Sequence, residues 1–438
     1  MTETVTHLIL QLAVILLAAK LAGEVCWRWL KIPPLIGELV AGIIIGPFAL
    51  GGLSIPGYGP LFEKPLTVAA ETAAFPVSTQ LWSVAQIAAI VLLFAAGLET
   101  DAGLFLRYAG QASIVAVGGV VFSFFFGAYA TILLGFAKGL TDPVALFMGA
   151  ILTATSVGIT ARVLSEKKKL DTPEGVTILG AAVIDDVLGI LVLTIVVGIA
   201  ANGQVSASQV GIVGGKAIGF WLGLTGLGFL LSKALSRFLL SFKVTGAALA
   251  LGLALAFLAS ALAEKAGLAM IIGAYSIGLA LSGTKLAKAI DEPLQAVYQA
   301  LVPVFFVVMG MLVDISAMGS AVVFGVVSTI LAIASKVLGA GLPSLAVGFN
   351  LRGGWRIGLG MLPRGEVALI VAGVGLSKGI IGADIFGVAI MVTVVTTVLA
   401  PIILGPAFAG GGPGTRPRAG TTGKSPTPET TERGAHGK

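Results

Sequence analysis

Two adjacent carboxylates, Asp185 and Asp186, stand near the middle of Val176–Ala200, a segment that is otherwise apolar and long enough to span a bilayer. An unpaired acid in hydrocarbon is costly, so acids at that depth face a protein interior or a water-filled cavity and carry function. A lysine lies equally deep. Lys336 is central in Ile330–Ala340, too far in for its amine to snorkel to water, and it needs a counter-ion inside the protein. Adjacent helical residues project about 100° apart, so one aspartate can face Lys336 while the other faces a cavity. Geometry alone leaves open which does which. Hydroxyls and freed carbonyls from the polar patch Thr153–Thr160 would complete an oxygen-rich shell for a small hard cation. A carboxylate that holds either protons or a cation, never both, exchanges one for the other without covalent chemistry.

Other chemistries lack their residues. The sequence has no nucleophile–base triad, no Walker-type phosphate loop and no Cys/His zinc spacing. His7 and His436 are near the termini, and Cys26 is the single cysteine, which excludes an intrachain disulfide. The chain is therefore expected to be no enzyme and to need no cofactor; its partners are monovalent cations, protons and lipid.

The elements that must position these groups are membrane spans. Of 438 residues, 57% are hydrophobic and 11% charged, with a mean hydropathy of +1.03, far from a soluble globular composition. Apolar runs longer than the roughly 20 residues that cross a bilayer recur along the chain, so they are helices and not barrel strands. About thirteen are expected, at 8–27, 35–50, 81–98, 110–137, 143–164, 176–200, 209–232, 244–263, 268–283, 296–313, 319–347, 355–377 and 384–408. The first has little preceding basic charge and no small-residue cleavage site, and is expected to be retained. From residue 409 to 438 the composition turns to Gly, Pro, Thr and charge, which predicts a disordered tail. Nineteen Lys and Arg fall in one set of alternate loops and the tail, against four in the other set (Lys64, Lys138, Lys265 and Lys378). The positive-inside rule then places the N-terminus outside, the C-terminus in the cytoplasm, and an odd number of spans between them.

The halves of the chain resemble each other. Ile36-Gly37-Glu38-Leu39-Val40-Ala41-Gly42 matches Ile272-Gly273-Ala274-Tyr275-Ser276-Ile277-Gly278 in its glycine spacing, and the spans that follow both end in Gly-x-x-x-Asp, at Gly97/Asp101 and Gly310/Asp314. The copies start an odd number of spans apart, so they must be inverted in the membrane, as in transporters built around a midplane site. Equivalent spans in the two halves are interrupted, by the Thr153–Thr160 patch and by Pro363-Arg364-Gly365-Glu366. Broken backbone at membrane depth is tolerated only inside protein or beside a cavity. Arg364 and Glu366 are expected to neutralise each other or the half-helix dipoles. Lys20 and Glu24 are expected to form an intrahelical pair or to snorkel, and Lys216 lies near a span end and is expected to snorkel. For Glu38, the dipole of its own helix start and an interfacial position account for the charge as well as function does.

Five motifs occur in order: Lys31–Glu38 with Gly46-Pro47, Leu92–Glu99, Thr155–Thr160, Ala182–Asp186 and Pro363–Glu366. Together they resemble the bacterial monovalent cation:proton antiporter-2 family, nearest the NapA-like sodium/proton antiporters, over residues 8–408. The resemblance implies an all-α polytopic fold of thirteen helices with inverted repeats and two broken crossing helices, occurring as a homodimer in the bacterial inner membrane. It implies a transmembrane antiporter domain over 1–408, with a dimerisation part at 8–98 and 244–313, a linker helix at 209–232, and a core at 110–200 and 319–408 that moves like an elevator. It implies that Asp186 binds the cation (sodium, lithium or potassium) and the proton, that Asp185 pairs with Lys336, and that Thr155 and Ser156 are cation ligands. Asp-Asp with a lysine resembles electrogenic members. Related potassium-efflux proteins usually carry a cytoplasmic nucleotide-binding domain; without one in this chain, a potassium/proton antiporter or a potassium-efflux subunit with a separate partner is the alternative expectation.

Overall fold

The computed structural model describes residues 2–55, 59–63, 77–202, 207–314 and 322–416. The helices are α1 (Thr2–Val25), α2 (Pro34–Ile45), α3 (Thr79–Glu99), α4 (Ala102–Leu133), α5 (Pro143–Thr153), α6 (Val157–Glu166), α7 (Pro173–Asn202), α8 (Ala207–Leu240) and α9 (Ala247–Lys265). They continue with α10 (Met270–Leu281), α11 (Lys285–Met311), α12 (Val322–Ala346), α13 (Leu351–Gly360), α14 (Glu366–Ser377) and α15 (Ala383–Ala409). A two-residue hairpin at Ser54–Ile55 and Gly59–Pro60 is the sole sheet among the described residues. Among the described residues, eleven helical segments are long and apolar enough to cross a membrane, one of them running from α5 through α6. The expected segments 268–283 and 355–377 are shorter or broken: α10 has 12 residues, and α13 and α14 are separated by residues 361–365. Large apolar side chains cover the outside, among them Leu133, Leu230 and Trp29, each more than three-quarters exposed. That surface suits lipid and not water, and the chain is a multi-pass membrane protein.

Several helix starts are written locally. Asp101 caps α4 by accepting from the Leu104 amide at 2.7 Å, and Asp142 caps α5 with Pro143 at its first turn. Asn350 caps α13 by accepting from the Gly353 amide.

The helices pack in two groups. α1, α2, α3, α9, α10 and α11 lie against one another, as do α4, α5, α7, α12, α13, α14 and α15. α8 runs beside α7, α9 and α10, and α6 touches α3 of the first group and α7 and α15 of the second. Close crossings explain the matched glycines of the two halves. A Cβ on Gly42 would overlap the Val307 carbonyl and crowd Gly310, and one on Gly278 would overlap the Phe94 carbonyl and crowd Gly97. Thus α2 crosses α11 as α10 crosses α3. Without side chains at the crossing, the backbones approach as small-residue membrane interfaces do.

The tail departs from expectation. Residues 410–416 fold back onto the turn before α13: Asn350 donates to the carbonyls of Pro413 and Thr415, the Asn350 amide donates to Gly414, and Arg416 donates to Gly348. Composition predicted disorder from 409 onward; the backbone of this glycine-rich piece is instead held by side chains distant in sequence. The rest of the expected tail lies outside the described residues.

Candidate ion-binding site

The two interrupted helices meet at their breaks. α5 ends at Thr153 and α6 begins at Val157; α13 ends at Gly360 and α14 begins at Glu366. The Ser156 amide donates to the Pro363 carbonyl at 2.7 Å, so each break supplies what the other lacks. The Thr160 hydroxyl donates to Gly360 at 2.7 Å and the Thr155 hydroxyl to Met361 at 3.4 Å, serving carbonyls orphaned at the end of α13. Thr397 of α15 donates a short hydrogen bond to the Arg364 carbonyl. Gly365 is required by proximity: a Cβ there would press on the Ser156 side chain.

α7 carries both aspartates past this crossing. Gly180 brings it against Phe105 and Ala112 of α4, and Asp185 and Asp186 are 1% and 3% exposed. Lys336, wholly buried, reaches over Gly119 from α12. Its Nζ lies 3.3 Å from Asp185 Oδ1 and donates at 2.6 Å to the Thr153 carbonyl. Arg364 donates to Leu152 at 2.8 Å, with longer bonds to Leu362 and Ala332. Two cations therefore cap the last carbonyls of α5, where the helix dipole is negative. The described bonds of Arg364 go to the half-helix ends; the Glu366 side chain, and with it the expected pairing of the two, lies outside the described residues. Ser156 Oγ is buried and makes no hydrogen bond among the described residues.

The sequence thus anticipates Asp185, Asp186, Thr155, Ser156, Lys336 and Arg364 as neighbours of one crossing. It expects freed carbonyls from Thr153–Thr160 but not that the Thr153 carbonyl accepts from Lys336 or the Leu152 carbonyl from Arg364, and it misses Thr397, one of several threonines in α15. Other charges differ from expectation. Glu24 pairs with Arg28 at 3.7 Å and not with Lys20, which donates to the Gln299 carbonyl at 3.0 Å; Arg28, in the helical turn Cys26–Leu30 that follows α1, is as well spaced from Glu24 as Lys20 is. Arg162 and Arg356, counted as loop charges, lie within α6 and α13. Arg356 is 4% exposed and pairs with Glu174 at 2.7 Å. Glu38 is buried against Arg162, 3.7 Å away, and not left to a helix dipole.

A buried acid beside a deep ion pair, at the crossing of two broken helices, is an arrangement suited to moving ions across a membrane. Residues 13–410 match the family model described as sodium/hydrogen exchanger, transmembrane, and the chain belongs to that family. It is 37% identical over 419 residues to the high-affinity Na(+)/H(+) antiporter NhaS3 of Synechocystis, covering 92% of this chain and 90% of that one. It is 32% identical to the Na(+)/H(+)-K(+) antiporter GerN of Bacillus cereus, over 90% and 94% of the two chains. In fold it resembles the sodium proton antiporter MjNhaP1 of Methanocaldococcus jannaschii, with a TM-score of 0.68 at 21% identity, covering 92% of this chain and 96% of that one.

Proposed function

We propose that the protein is a secondary active sodium(lithium)/proton antiporter of the bacterial plasma membrane, electrogenic, in which cation and protons compete for Asp186. Asp185 and Lys336 form the accompanying ion pair, and Thr155 and Ser156 supply cation oxygens. The group of α4–α7 and α12–α15 is the core, which slides in an elevator movement against a dimerisation part built from α1–α3 and α9–α11, with α8 linking them. Thirteen crossings in inverted repeats put the N-terminus outside and the C-terminus in the cytoplasm, and two copies associate as a homodimer. The observation that carries this reading is the buried Asp185–Lys336 pair adjoining Asp186 at the crossing of the two breaks. A proton and a small hard cation both suit a buried carboxylate among hydroxyls and carbonyls, and occupancy by one excludes the other, so their movements are coupled.

Purified protein in liposomes tests it. Sodium added outside should drive protons across the membrane and, if the exchange is electrogenic, shift with an imposed potential. If none of sodium, lithium and potassium evokes proton movement, the reading is refuted. The kinship with GerN, whose name includes potassium, favours a second reading in which potassium is also carried. Equal proton movement with potassium and with sodium would select that reading, and potassium flux uncoupled from protons would point to an efflux subunit.

A further inference from the structure

One end of the molecule joins the two helix groups by a polar contact that the ion site does not use. α6 presents Arg162, Ser165 and Glu166 there, at the end that leads into Lys167–Lys169. Arg162 Nη2 lies 3.7 Å from Glu38 Oε1 of α2, and its guanidinium sits 5.2 Å from the ring centre of Tyr298 and 5.9 Å from that of Phe306, both on α11. Ser165 donates to Glu99 of α3 at 2.7 Å, and Gln295 of α11 donates to the other oxygen of that carboxylate. The foot of α6 is thus gripped by three helices of the opposite group.

The grip is incomplete in a particular way. Glu38 Oε2 and Arg162 Nη1 are buried, and neither makes a hydrogen bond among the described residues. Arg356 provides the contrast. Its hydrogen bonds go to Glu174, Ala407, Gly411 and Gly412, on α7, α15 and the chain just after it, with the Phe408 ring beside it, and its three nitrogens spend donors on one carboxylate and three carbonyls. A buried arginine that only holds structure is saturated in this manner. Arg162 instead meets a single carboxylate across the group boundary, at a long 3.7 Å, beside the Tyr298 and Phe306 rings, and keeps a second acid on its own helix, Glu166, at 2.5 Å. On separation Arg162 would keep Glu166 as its partner.

We propose that Glu38–Arg162 is a releasable latch that holds the two groups together at the end carrying Lys167–Lys169, closing that route to the buried aspartates, and that it opens once in each transport cycle. Glu38 and Arg162 are positioning residues that set which face of the site is reachable, and they touch no ion. The inference rests on the proposed sliding of the core against the other group.

Two measurements on the full chain test it separately. In liposomes, Glu38→Gln should change the maximal rate of sodium-driven proton flux several-fold and alter the half-saturating sodium concentration on the latch side alone. The exchange of charges, Glu38→Arg with Arg162→Glu, should restore both. An unchanged rate with a lowered thermal midpoint would mean a static brace, and failure of the exchanged pair to restore the rate would mean that Glu38 acts otherwise; either overturns the proposal. The second measurement needs no transport. In a Cys26→Ser background, a cysteine replacing the buried Ala161 should react with a water-soluble maleimide several-fold faster when Glu38→Gln is added. Faster labelling without any cation-driven flux would sustain the latch while the antiporter reading fails, and unchanged labelling would overturn the latch whatever the flux.

Discussion

Lys336 makes its shortest hydrogen bond, 2.6 Å, to the carbonyl oxygen of Thr153, the last residue of α5. Its contact with Asp185 is longer, at 3.3 Å. The ammonium therefore ties the broken helix to α7, and both ends of that tie depend on one charge. Replacing Lys336 by Ala leaves Asp185 buried without its cation, and breaking such a pair costs about 3–5 kcal/mol. The thermal midpoint of the purified protein should fall accordingly. Lys336→Ala with Asp185→Asn removes both charges and should regain most of the loss; a double variant no more stable than the single would contradict the pairing.

In the proposed function Asp186 takes the exchanged ion. Asp186→Asn keeps the volume and removes the charge, so cation-driven proton flux should drop to that of empty liposomes while the midpoint stays near that of the parent. Full flux in this variant would remove the residue from its role.

Arg364 reaches the carbonyls of Leu152, Leu362 and Ala332 with a planar fork. Lysine carries the same charge but cannot span those directions. Arg364→Lys should therefore slow transport and lower stability together, and a variant matching the parent in both would show that charge alone suffices at the break.

The segment 410–416 is held by Arg356, Asn350 and Arg352. Removing everything after 416 should leave the thermal midpoint unchanged, whereas removing everything after 409 should lower it, because Arg356 then loses the carbonyls of Gly411 and Gly412. Equal midpoints for the two truncations would mean that the fold-back contributes no stability.

Gly42 and Gly278 sit at equivalent close crossings. Alanine at either must push backbone aside, and overpacking of this kind costs about 1–3 kcal/mol. Both variants should unfold at lower temperature, by similar amounts; a tolerated alanine at one position only would mean that the crossings differ in tightness.

What the sequence determined by itself is whatever depends on depth in the membrane: the spans, the two breaks, the paired acids and the deep lysine. Hydropathy is a local property, and a charge in the middle of an apolar run cannot be satisfied by water, so its position in the chain already says that it has a partner. What only the tertiary structure decided is which partner. Asp185 and Asp186 are equivalent on paper until α12 places Lys336 beside the first. Arg162, Arg356 and Glu38 lie close to span ends, where an exposed charge and a buried pair read alike, and the acids facing the two arginines are 124 and 182 residues away. Likewise a run of glycines signals disorder until carboxamide and guanidinium donors, brought there by α13, occupy its carbonyls.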